Sequence, residues 1–364
     1  MSSNPSVYAA EPAYPILAHT LLQAPSTDLT DSEESNYDVT SERSWNLKDD
    51  WEKGIQNNIA GVFRCGTVIG FSRLRSRSKD TDEYVGQVIK SNKTHASGRE
   101  WTESKFSQIP RYLLTSHLVR TPSSETCAFI IHPSNFDALS PRLLLHGLQS
   151  TTTSSHQPAL SKIEALKRLD HVQLLPVQSL PNAAQAINTV SDSLQKLQEQ
   201  RQTRRSADSP VELESPVIFL IAGLDTLAEA VVRASNPLRG TALLGAILRS
   251  VNLLARTYAP WLSVILVNTS GLGPAQYDIS QPVDGNPSER ARKEATKIPG
   301  EDSIHSVFSS PGGPLLWTLL MKTLDQGIDT HILLSDVKAA QVAEVIKDRT
   351  GAGLGKWGIW TPRR

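Results

Sequence analysis

Cross-linking residues, net charge and long apolar runs are all scarce in this chain. Its 364 residues include two cysteines, Cys65 and Cys127, far apart and without metal-ligand spacing. Neither a disulfide framework nor a cysteine-based zinc site is therefore encoded, and two packed or solvated thiols in a reducing compartment are expected. The 37 Lys and Arg residues are matched by 37 Asp and Glu. That balance excludes a protein coated in positive charge for non-specific nucleic-acid binding and leaves room only for local basic patches. No continuous apolar run approaches the roughly 20 residues of a membrane helix, and the N-terminus lacks the basic and apolar regions of a secretory signal. The expectation is a soluble, intracellular protein with no membrane partner. No internal repeat is evident.

What is present is a clear α/β signature, and a chain of this length buries enough core to form it without disulfides. The clearest unit runs from Pro216 to Gly273. Pro216-Val-Ile-Phe-Leu-Ile-Ala222 reads as a buried strand, followed by a turn, one long amphipathic helix, and a second buried strand, Leu262-Ser-Val-Ile-Leu-Val-Asn268. Leu244, Ile247, Leu248, Val251, Leu254 and Ala255 fall on one face of the helix, with Arg249, Asn252 and Arg256 elsewhere. Short apolar runs flanking such a helix predict parallel strands covered on both faces.

Residues 1–44 form a Ser, Thr, Pro and acid-rich tail, with Asp28, Asp31, Glu33, Glu34 and Asp38. It is expected to be disordered, because it cannot bury enough apolar surface to fold alone. Residues 45–364 form one core domain. Gly61–Gly70 reads as a turn entering the first core strand, and residues 73–98 as a polar, basic inserted loop. Arg111–Val119 follows as a helix and Thr126–Ile131 as a buried strand. Next come a helix at Pro141–Leu148, a strand at His171–Val177 and a long polar helix from Asn182 to about Arg204. Residues 272–303 are Gly, Pro, Asp and Ser-rich, longer than ordinary connections, and expected to be mobile. Thr330–Leu334, Val342–Lys347 and Lys356–Trp360 read as closing strands, joined by turns at Asp336 and Gly351–Gly355.

The segments Phe219-Leu-Ile-Ala-Gly-Leu-Asp-Thr-Leu227, Arg249–Arg256 and Ile265-Leu-Val-Asn-Thr-Ser-Gly271 resemble the second half of the RecA-type ATPase core of eukaryotic recombinases and their paralogues, especially divergent fungal members. The resemblance runs from about Trp45 onward and is weakest in the first third. It implies a RecA-like P-loop-type α/β core, with a mainly parallel sheet, helices on both faces and an antiparallel C-terminal extension. In the family, the first of these strands carries the metal-side acid, and the last ends in a polar residue followed by a DNA-facing loop.

An intact member binds ATP and Mg²⁺ through G-x-x-x-x-G-K-[ST], whose backbone N–H groups and lysine surround the phosphates while a hydroxyl holds the metal. No stretch here matches. Ser72–Lys79 follows the first strand but contains no glycine, so side chains obstruct the phosphate path. Gly98-Arg-Glu-Trp-Thr-Glu-Ser-Lys105-Phe-Ser107 sits better before the Arg111 helix. In that stretch Lys105 is displaced by one position and Phe106 replaces the hydroxyl residue. Gly98 and Lys105 are the vestigial nucleotide-binding candidates; a surface lysine is the plainer reading of Lys105.

The metal-side acid should close the strand Val217–Ile221, where Ala222 stands instead. Asp225 follows within the turn, either reaching inward as a third vestigial residue or stabilising the turn through nearby N–H groups. His132 and Ser134 occupy the place of the water-activating acid, and a hydrogen-bonded structural histidine is the plainer reading. No catalytic residue and no metal ligand is assigned.

Arg73, Arg75 and Arg77, together with Lys356, Trp360 and Arg363, are the DNA-binding candidates, since cations beside aromatic faces touch phosphates and stack on bases. The alternatives are a solvated basic loop or nuclear-import signal for the arginines, and a buried strand face for Trp357 and Ile359. Three weakened elements together suggest a nuclear recombinase paralogue with degenerate ATPase chemistry. It would act in DNA recombination and repair through a recombinase or paralogue partner in a hetero-oligomer, and through single-stranded DNA. Two rivals stand beside it. One is an active DNA-dependent ATPase whose phosphate loop is obscured by a gene-model error between Arg73 and Gly98. The other is a RecA-like scaffold of a non-recombination complex such as the tRNA-modifying Elongator ring.

Overall fold

A computed structural model describes residues 50, 54–55, 57, 61–74, 108–121, 126–150, 160–205, 215–273, 316, 318–337, 340–349, 351 and 353–360. The chain separates into Met1–Val39 and Thr40–Arg364. The tail 1–44, the inserted loop beyond Leu74 and the connection beyond Gly273 lie outside the described residues.

The core is an eight-stranded sheet built from β1 (Val68–Arg73), β2 (Ala128–Pro133), β3 (Val172–Val177), β4 (Val217–Ala222), β5 (Leu262–Val267), β6 (Thr330–Val337), β7 (Ala340–Asp348) and β8 (Trp357–Trp360). Its order is β3-β2-β4-β5-β1-β6-β7-β8. The pairs from β3 through β6 are parallel, while β6–β7 and β7–β8 are antiparallel. Crossover helices explain the parallel part, because two parallel neighbours cannot be joined by a tight turn.

On one face lie α1 (Gln108–Arg120), α2 (Pro141–Ser150) and α3 (Lys162–Leu169), packed through Leu113, Leu144 and Ala165 against Phe71, Ile130 and Leu220. On the other lie α4 (Leu180–Arg205), α5 (Leu224–Ala234), α6 (Pro237–Thr257) and α7 (Leu319–Gln326), packed against Phe129, Phe219, Val264 and Leu266. β4 and β5 are buried at every position, as the two-sided cover requires. The α/β class, the mainly parallel sheet with helices on both faces and the antiparallel C-terminal part are thus as expected from sequence.

Four details differ from the sequence reading. The helix between β4 and β5 is two helices, because Asn236 caps the second by accepting from the Arg239 N–H at 2.8 Å and Pro237 takes its first position. Helices α3 and α7, of eight residues each, were not anticipated. Asp336 lies within β6 rather than in a turn. β8 is the outer edge of the sheet, and Trp357 and Ile359 are 42% and 56% exposed instead of forming a buried face.

α6 has the length and apolar composition of a bilayer helix. Its Leu244, Leu248, Val251 and Ala255 are nevertheless buried against the sheet.

Candidate functional site

Ligands of open α/β sheets bind beyond the carboxyl ends of the strands. Here that edge is formed by the exits of β2, β4, β5, β1 and β6. β5 lies between β4 and β1, so the segment leaving β5 is flanked by the exits of both neighbours.

At the end of β4, Ala222 is fully buried. Gly223 then turns the chain into α5 at φ 71°, and a Cβ there would lie 2.6 Å from Pro133 Cγ. Only glycine tolerates both the left-handed backbone and the close approach of the β2 exit. This turn aims Asp225 at the segment leaving β5. Its carboxylate, 1% exposed, accepts from the Thr269 N–H at 2.7 Å and the Ser270 hydroxyl at 2.6 Å. It also accepts from the Ser270 N–H and the Thr269 hydroxyl. Asp225 therefore stabilises a contact 44 residues distant rather than its own turn.

At the end of β2, His132 hydrogen-bonds through Nδ1 to the Pro133 carbonyl oxygen at 2.9 Å, and the Ser134 hydroxyl donates to the Val177 carbonyl. Both side chains thus bond to backbone carbonyls. Asp137 is exposed at the start of a short 3-10 turn, Asp137–Leu139.

Asn268, the first residue beyond β5, donates through Nδ2 to Ser72 Oγ of β1 at 2.8 Å. Ser72 Oγ lies 2.8 Å from His331 Nε2 of β6, and His331 Nδ1 lies 2.9 Å from Asp325 Oδ1 of α7. Asp325 Oδ2 accepts from Lys347 Nζ of β7 at 2.7 Å, and Lys347 also donates to the Asp325 carbonyl. A carboxylate only accepts, so in the neutral ring Nδ1 carries the hydrogen and Nε2 accepts from the Ser72 hydroxyl. Burial pushes the Asp325 carboxyl upward, but the hydrogen bonds and charges of His331 and Lys347 outweigh it and hold the group below the usual value. Burial likewise lowers Lys347, against the opposing pull of Asp325. The two shifts favour opposite states of one pair. The 2.7 Å contact with two donors on the carboxylate makes the ion pair the dominant description.

This chain of five side chains was not anticipated. Its sequence signal is the placement of Ser72 directly after Val68–Phe71 and of His331 directly before Ile332–Leu334, polar residues at the ends of apolar runs, since a buried polar group requires a partner.

Of the residues singled out from sequence, Gly98, Lys105, Arg75, Arg77 and Arg363 lie outside the described residues. Asp225 is placed at the strand edge as described. Arg73 is half-buried at the end of β1. Lys356 immediately precedes β8, and Trp360 ends it. Arg73 and Trp360 share the carboxyl edge but are separated by β6 and β7, roughly 14 Å at ordinary strand spacing. The aromatic-cation candidates at β8 and the vestigial acid at β4 therefore belong to different parts of the edge. Among the described residues, no group of three or more His, Cys, Asp or Glu is placed to hold a metal ion. The side chains at the β4 and β5 exits do not fit a Mg²⁺–triphosphate site: Ala222 offers no ligand and the Asp225 oxygens are engaged by Thr269 and Ser270.

No protein-family model matches the chain, and no curated protein matches it.

Proposed function

We propose that this chain is a RecA-like recombinase paralogue that works in nuclear DNA recombination and repair by assembly rather than by ATP turnover. Its partners are a recombinase or another paralogue, joined in a hetero-oligomer, and single-stranded DNA. Support comes from the sheet, in which β5 separates β1 from β4 and an antiparallel hairpin extension follows β6, together with the resemblance of the β4–β5 unit to that family. Function carried over from a fold is an analogy, so the weight falls on one local observation.

That observation is the commitment of Asp225. A P-loop enzyme orients its metal-bound water with a carboxylate at the end of this strand. Here the position is Ala222, and the nearest carboxylate holds the β5 exit through Thr269 and Ser270. A chain that uses this edge to fix its own loop keeps the framework for contacts with other molecules without the groups for hydrolysis.

The test is binding of the purified full chain to a fluorescent oligo-dT at two salt concentrations, with ATP binding and hydrolysis measured in parallel. Binding that weakens steeply with salt, without ATP hydrolysis, is expected. DNA-stimulated hydrolysis, or no affinity for the oligonucleotide at low salt, would overturn the reading.

A further inference from the structure

The hydrogen-bonded side chains Asn268, Ser72, His331, Asp325 and Lys347 come from five different segments: the β5 exit, β1, β6, α7 and β7. We propose that they form a coupling strut, a single cooperative unit through which the β5 exit and helix α7 stabilise one another although Asn268 and Asp325 have no hydrogen bond in common. This inference goes beyond the nucleic-acid reading and does not depend on it.

Three observations carry it. Continuity comes first: the Asn268 amide donates to Ser72, Ser72 is joined to His331 Nε2, and His331 Nδ1 donates to Asp325, so that with the neutral ring every donor points the same way. Bonds aligned in this way polarise one another inside a low-dielectric core. The second is burial. Ser72, His331 and Asn268 are all within 4% of complete burial, so water is not at hand to replace a lost partner. The third is placement, because the strut joins the β5 exit to the C-terminal end of α7, the end that leads into β6. At one end, backbone bonds from Asn268 to Phe71 and from Leu272 to Arg73 fix the β5 exit to β1. At the other, Asp325 and the Asn252 bond to the Gly327 carbonyl fix the end of α7.

Ser72, His331 and Asp325 also have the connectivity of a hydrolytic triad. Full burial of the Ser72 side chain and its use as acceptor for Asn268 argue against nucleophilic duty. The hydroxyl is a link sealed inside the sheet and α7.

The decisive experiment is a double-mutant cycle in the full chain between Asn268→Ala and Asp325→Asn, read as the unfolding equilibrium constant. Residues that share no network combine additively to within about twofold, whereas members of one network do not. A departure from additivity of at least about threefold is expected here. The control pair Asn268→Ala with Asn236→Ala, which removes the α6 cap, is expected to be additive. Additive behaviour of the Asn268 and Asp325 pair would overturn the strut.

If Asp325→Asn does not fold, native-state hydrogen exchange on Ser72→Ala decides instead. Exchange about tenfold faster at both Thr269–Leu272 and Leu324–Gly327, with β2 and β3 unchanged, supports the proposal. Acceleration confined to one of the two segments overturns it. A fluorophosphonate probe on the native chain is expected to leave Ser72 unmodified. Labelling of Ser72 would replace the strut with an accessible, activated nucleophile.

Discussion

The carboxylate of Asp225 lies 2.7 Å from the backbone N–H of Thr269, joining the first turn of α5 to the segment leaving β5. With the Ser270 hydroxyl at 2.6 Å, one buried side chain fixes the spacing of two strand exits at the edge where α/β sheets bind ligands. Asparagine at this position can keep its oxygen toward the two N–H groups, but it replaces an anion with a neutral amide and the oxygen that accepts from the Thr269 hydroxyl with a donor. Asp225→Asn is expected to cost about 1–3 kcal/mol in chemical denaturation. It should also speed hydrogen exchange at Thr269–Leu272. Unchanged exchange there would mean that the loop holds its shape without the carboxylate.

The Asp325–Lys347 pair is mostly buried, with side chains 10% and 13% exposed. Removal of the acid leaves Lys347 and His331 without their shared acceptor. Asp325→Ala is therefore expected to destabilise by about 3–5 kcal/mol. Since the Asp325 carboxyl is held below its ordinary value of 3.8, its contribution is fully present above that pH and disappears as pH falls through the folded-state value. Thermal unfolding of the variant should consequently lose part of the acid sensitivity that wild type shows below pH 3.8.

His117 on α1 gives the opposite protonation chemistry but the same direction of acid sensitivity. Burial lowers it from 6.5 to about 4, against hydrogen bonds to the backbone at Pro216 and Cys127 that favour the charged ring. Between those two values the unfolded chain binds the proton and the folded chain does not, so stability declines as pH drops from 6.5 toward 4. The loss is on the order of 3 kcal/mol. His117→Gln should flatten the stability profile across this window, measured by urea midpoints at half-unit pH steps.

Gly70 in β1 faces Ile328, and an added Cβ would lie 2.4 Å from Ile328 Cδ1. Gly70→Ala is expected to destabilise by about 1–3 kcal/mol through overpacking. Ile328→Val in the same chain removes that methyl and should restore part of the loss. A fully additive double variant would show that the clash is not the cause.

The Cys65 thiol is pushed up to about 12 by burial, with the nearby Arg201 charge opposing the shift. Reactivity follows the thiolate fraction. Iodoacetamide at pH 8 should therefore modify half-buried Cys65 markedly more slowly than an unperturbed thiol. Mass spectrometry of the labelled chain provides the measurement, and modification as fast as that of a free thiol would contradict the upward shift.

Much of the framework was legible from local pattern. The apolar runs of β2, β4 and β5 announced strands covered on both faces, and the spacing of Leu244, Leu248, Val251 and Ala255 announced the face that α6 lays on the sheet. The break at Pro237 was also readable in principle from Asn236-Pro237, a cap followed by a first-turn proline, but the continuous apolar character on both sides obscured it. Exposure of Trp357 and Ile359 was not readable. Alternation identifies a face, but not whether anything covers it, and coverage depends on β8 being the outermost strand.

The order of residues along the chain by itself determined the alternation of helices and strands, the apolar faces and the absence of an acid at Ala222. All of these follow from periods of two or 3.6 residues and from side-chain chemistry within a few positions. Tertiary structure alone decided that Asn268 meets Ser72 across 196 positions and that Ser72 meets His331 across 259. It likewise decided that Asp225 serves a distant loop rather than its own turn. Such pairings arise when the sheet order brings β5, β1 and β6 side by side. Burial then favours bonds among Asn268, Ser72 and His331, the neighbours that the topology supplies.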